Sequence, residues 1–143
     1  MTIDYDDLDF HSIKKTTIAD GLELLKAEKM RDAILVLEKA AHQFPASYEA
    51  FEYLGICYLT AGLNNRAIGA LKKATDLKPE SASAHYNLGI AFEKAGVIED
   101  ALVQYSSAVE LKPTHNLAQE RVIDLANLIP ERNKSRIKLL RNK

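Results

Sequence analysis

The side chains able to do chemistry are few, and their spacing does not assemble a reaction centre. Four histidines, His11, His42, His85 and His115, stand at unrelated intervals. None lies four residues from another histidine or from a cysteine, the helical spacing that puts two metal ligands on one face. Cys57 is the single cysteine. It can form no disulfide within the chain, which fits a reducing, cytoplasmic setting. Its place in a helical stretch makes it a small packing residue rather than a nucleophile. Glu49 and Glu52 share a helix face and could in principle act as an acid–base pair, but carboxylates on a polar face are normally solvated. There is no glycine-rich phosphate loop, helical zinc pair or nucleophile elbow. Asn133-Lys134-Ser135 matches a glycosylation triplet, but the start, MTIDYDDLDF, has neither the basic region nor the apolar run of a secretory signal. We therefore expect no enzyme, metal, cofactor or small-molecule substrate.

What must position these residues is a repeat. Gly21, Gly55 and Gly89 stand 34 residues apart, as do Ala33, Ala67 and Ala101. Ala40, Ala74 and Ala108 keep the same interval, and so do Pro45, Pro79 and Pro113. Large apolar residues follow it: Leu24, Tyr58 and Phe92, then Leu37, Leu71 and Tyr105. A period of about 34 residues is the length of a helix–turn–helix unit that stacks on its own copies. In the middle copy Ser47 can cap a helix from about Tyr48 to Ala61, which Gly62 ends in a left-handed turn. A second helix runs from about Asn64 to Leu77 and stops before Pro79. Ser81, Gly96 and Pro113 repeat the pattern. One such hairpin cannot bury its apolar faces alone, so the units must stack into a solenoid.

The columns resemble the tetratricopeptide repeat family. The middle copy reads Phe51, Leu54-Gly55, Tyr58, Ala67, Leu71, Ala74, Pro79, and the third reads His85, Leu88-Gly89, Phe92, Ala101, Tyr105, Ala108, Pro113. The first is more divergent: Thr17, Asp20-Gly21, Leu24, Ala33, Leu37, Ala40, Pro45. The resemblance implies an all-α, right-handed superhelical solenoid of three repeats, 14–47, 48–81 and 82–115, with seven or eight helices and no strand. It also implies that the first helix of each repeat lines a concave groove. Lys15, Ile18 and Leu22 would come from the first repeat, and Glu49, Glu52, Tyr53 and Ile56 from the second. Ser83, Tyr86, Asn87 and Ile90 would come from the third. The middle of that trough is apolar. Either these side chains form an exposed strip, or some of them are core covered by neighbours or by the termini.

The function that follows is a protein-interaction module, an adaptor or chaperone-like holder of an apolar peptide or amphipathic helix, flanked by Lys15, Glu49 and Glu52. Some family members clamp the C-terminal carboxylates of heat-shock chaperones. The matching positions here are Ile18, Leu22, Tyr53, Ser83 and Asn87, which include no cation, so that use is disfavoured.

The ends differ in sign. Residues 1–13 form an acidic segment with Asp4, Asp6, Asp7 and Asp9. Residues 116–129, with Thr114 as cap, are expected to be a helix covering the last repeat. Residues 130–143 form a basic tail in which Ser135, Leu139 and Leu140 suit a degenerate fourth second helix; the tail is either packed or solvated. The alternative function is a scaffold that self-associates weakly through the terminal helix, burying Leu125 and Ile129, and through the charged ends. The formal net charge of −1 disfavours nucleic acid as partner, and no stretch approaches the ~20 apolar residues of a transmembrane segment.

Overall fold

A computed structural model describes residues 10–131, 133–135 and 138. The acidic head up to Asp9 lies outside the described residues, as do Arg132, Arg136, Leu139, Leu140, Arg141 and Lys143 of the tail. Seven helices follow one another: α1 (Phe10–Lys26), α2 (Met30–Gln43), α3 (Tyr48–Thr60), α4 (Asn64–Leu77), α5 (Ala82–Lys94), α6 (Ile98–Leu111) and α7 (Asn116–Leu128). The described residues from Glu131 to Lys138 are helical too, and no strand occurs among the described residues. Each helix packs on the next, and α3 also touches α1 and α5, so contacts stay between neighbours as in a stack.

The period reappears in the capping chemistry. Ser47 Oγ accepts from the Ala50 amide at 3.3 Å, and Ser81 Oγ accepts from that of Ala84 at 3.2 Å. At the third site the cap is His115, whose Nδ1 accepts from the Ala118 amide at 3.3 Å. Thr114, expected to cap α7, lies one residue too early for that bond. Each first helix of the three repeats closes with the same pair of bonds. The amides of Lys29, Leu63 and Val97 reach back to the carbonyls of Leu24, Tyr58 and Phe92 at 2.8–2.9 Å. Those of Glu28, Gly62 and Gly96 bond Leu25, Leu59 and Glu93 at 3.0–3.1 Å. This closure requires a left-handed residue. Gly62 and Gly96 supply it at φ 74° and 79°, whereas the first repeat forces Glu28 to φ 59°. A side chain there is strained. Glu28→Gly should therefore raise the urea midpoint, with a gain of about 0.5–1 kcal/mol after the extra chain entropy of glycine is offset.

The core runs along the seam between the two helices of each repeat. Leu37, Leu71 and Tyr105 are essentially fully buried, and each lies against the glycine sixteen residues before it. A Cβ on Gly21, Gly55 or Gly89 would come within 2.7, 2.4 or 2.7 Å of those side chains. On α7 the next member of that column is Ile123, 63 % exposed. Leu125 and Ile129 are already buried within the chain, at 1 % and 7 % exposure, so they are not surface for an oligomer as expected from sequence.

Candidate functional site

The first helices α1, α3 and α5 carry the groove residues on one side, because positions i, i+3, i+4 and i+7 of a helix form a single face. Ile18 is the exception in burial: at 7 % exposure it belongs to the hydrophobic core. Leu22, Tyr53, Tyr86 and Ile90 are half-buried and lean on that core. Ile56 is also half-buried, yet it is not among the side chains packed against the core. These five residues are the apolar members of the trough expected from sequence. Lys15, Glu49 and Ser83 are exposed, and Asn87 is half-buried.

Glu52 differs from the sequence expectation of a solvated charge. Its side chain is buried, with the residue 7 % exposed. Tyr48 donates its phenol proton to Glu52 Oε2, and Ser83 Oγ donates to Oε1 at 2.7 Å. Tyr48 also meets Ser81 Oγ at 2.9 Å, while Lys78 Nζ sits 4.9 Å from the Tyr48 ring centre. A buried carboxylate is tolerable only when its oxygens are bonded in this way. Glu52 and Ser83 thus form a polar tie between the second and third repeats. Glu49 is less enclosed, accepting from Ser47 Oγ at 3.1 Å.

Toward the last repeat the groove changes character. A cavity of about 360 Å³ is lined by Tyr86, Ile90, Glu93, Lys94, Tyr105 and Arg121. Glu93 is its anchor: Tyr105 donates to Oε2 at 2.7 Å, and Arg121 reaches both oxygens, Nε to Oε2 at 3.2 Å and Nη2 to Oε1. Arg121 Nη1 also bonds Asp124 Oδ2 at 3.0 Å. The Tyr86 ring stands 5.6 Å from Tyr105 and 4.6 Å from His115, centre to centre. The sequence reading missed Lys94, Tyr105 and Arg121 here. Adding the 34-residue period to Tyr53 and Asn87 would have placed Arg121 in the same column.

Burial perturbs three phenols. Tyr48 and Tyr58 are each pushed up to about 12, first by burial and then by donating to Glu52 and Glu38 respectively. Tyr105 is raised by burial and by its bond to Glu93. In an unfolded chain these protons leave near pH ~10. The fold retains them, so its stability is intact below that pH and falls as pH rises from about 10 toward 12. Thermal midpoints should drop steeply across that window, and Tyr48→Phe with Tyr58→Phe should flatten the slope. Burial likewise pushes the Cys57 thiol up to about 11, which keeps it an inert packing group. No group of three or more His, Cys, Asp or Glu suited to a metal occurs among the described residues. Nor is any helix among them long and apolar enough to cross a membrane.

A family model described as TPR repeat, the tetratricopeptide repeat, matches residues 58–96. That stretch of the chain is similar to a tetratricopeptide repeat. The fold of the chain is that of solved repeat domains. The Arabidopsis OM64 tetratricopeptide domain superposes with a TM-score of 0.79 at 17 % identity, over 82 % of this chain and 98 % of that one. The first such domain of Spaghetti (RPAP3), bound to the HSP90 peptide SRMEEVD, gives 0.78 at 18 % identity, over 80 % and 91 %. YrrB, described as a repeat protein with an unusual peptide-binding site, gives 0.71 at 26 % identity, over 75 % and 55 %. A comparison with curated protein sequences finds no match.

Proposed function

We propose that this chain is a tetratricopeptide repeat protein, a non-catalytic interaction module that holds an apolar peptide or amphipathic helix of another protein in its concave groove. The observation that carries this reading is Ile56. It sits at the centre of the trough, between Leu22 and Ile90 in the repeat period, and is absent from the packing of the core. A β-branched apolar side chain held half-open to water is suited to covering by a ligand. The solenoid supplies the surface, since stacked repeats present an extended concave face.

An acidic chaperone tail, such as the HSP90 peptide on the RPAP3 domain, suits this groove less well. Ile18, Leu22, Tyr53, Ser83 and Asn87 offer no cation. Arg121, on α7, is already bonded to Glu93 and Asp124. Selection of peptides from a displayed random library, followed by amide shift mapping, tests the reading. Apolar or amphipathic winners should shift Tyr53, Ile56 and Ile90. Shifts confined to α2, α4 and α6 would place binding on the outer surface and refute it.

A further inference from the structure

We propose that α7 pairs antiparallel with α7 of a second copy of this chain, forming a two-fold dimer at the end of the groove. The three most exposed large apolar residues described are Leu128 (69 %), Ile123 (63 %) and Leu117 (58 %), and all lie on α7. Leu117 and Leu128 belong to one stripe with Arg121 and Asp124, at intervals i, i+4, i+7 and i+11, which a helix aligns along a single face. That stripe has the symmetry a two-fold contact needs. Positions 117 and 128 are equally far from the stripe's midpoint, and so are 121 and 124.

Laid antiparallel on its copy, Leu117 meets Leu128 of the second molecule, and Arg121 meets its Asp124. Both pairs then recur by the symmetry axis, so the surface is complementary to itself in charge as well as in apolar character. Arg121 is held by Glu93 through Nε and Nη2 and bonds Asp124 at 3.0 Å through Nη1, so the dimer exchanges only that last bond for the Asp124 of the second copy. Among the described residues of the tail, Lys134 and Lys138 flank Val122, Ala126 and Ile129, away from the stripe.

The stripe also has a defined place in the repeat. Residues 117, 121, 124 and 128 are the 34-residue successors of Ser83, Asn87, Ile90 and Lys94, the groove column of α5. A second copy seated there covers the fourth column and leaves the apolar floor of the first three for a ligand. This inference does not depend on the groove reading. A pair of 13-residue helices spans roughly 20 Å, so the contact is far smaller than a standard interface and the dimer is weak.

Sedimentation of the full chain from about 10 µM to 1 mM tests it, weak association of this size belonging on the order of that range. The wild type should move from monomer toward dimer. Leu128→Glu, at a position open enough to leave the fold intact, should stay monomeric throughout. Arg121→Asp and Asp124→Arg should each be monomeric alone, because like charges then face each other, whereas an equimolar mixture of the two should dimerise. Circular dichroism checks that each variant is folded. A wild type still monomeric at the top concentration overturns the proposal. So does a dimer that survives Leu128→Glu, or a mixture of charge variants that stays monomeric.

Discussion

Truncating Leu71 to alanine should cost about 2–5 kcal/mol, the largest loss expected from one substitution in this chain. Leu71 is fully buried between α3 and α4, with its branch point against the Gly55 backbone. Its removal leaves a cavity that the flanking helices cannot close, because Ala67 and Ala74 on the same face are already at zero exposure. Gly55→Ala attacks the same contact from the other side. The new Cβ would fall 2.4 Å from Leu71 Cγ, so the helices must part, at a cost of roughly 1–3 kcal/mol. The two changes share one space and should not add. In the double variant the methyl introduced at position 55 enters the volume that Leu71 vacated, and the loss should fall short of the sum by at least about 0.5 kcal/mol. Urea denaturation followed by circular dichroism measures all three. Strict additivity would show that glycine and leucine do not meet across this seam. Because the middle repeat touches both neighbours, its loss should unfold the stack rather than one hairpin.

Ile56→Glu should abolish capture of an apolar ligand while leaving helix content unchanged. The side chain is half-open, so a carboxylate there remains hydrated in the free protein and the fold loses little. Covered by an apolar ligand, the same carboxylate is stripped of water. The expected loss is about 2 kcal/mol or more, roughly 30-fold in Kd. Leu35→Glu serves as the control: Leu35 is 56 % exposed on α2, and the same charge placed there should leave affinity unchanged. Fluorescence anisotropy with a library-selected peptide reads both variants. Undiminished affinity for Ile56→Glu, with loss for Leu35→Glu, would move the binding surface to the second helices.

Much of the architecture is local and therefore legible in the chain. The 34-residue columns placed α3, α4 and α7 to within a residue of where they lie, because caps, left-handed closures and prolines act on their immediate neighbours. The close approach at Gly55 and Gly89 was readable for the same reason: a repeated glycine in a helix interior is costly unless something presses on it. What the chain could not declare is how each groove position is spent. Ile18 and Ile56 look alike in sequence, yet Ile18 is absorbed by the core and Ile56 is not. Glu49 and Glu52 share a face, yet only Glu52 is drawn inward. That depends on Tyr48 reaching it from the same helix and Ser83 from the next repeat. The Glu93–Tyr105–Arg121 cluster joins residues from three helices, and Leu125 and Ile129 turn inward while Leu117 and Leu128 do not. Periodicity places a residue on a helix. Only the packing of one helix against its neighbours settles which side of that helix meets protein and which meets water.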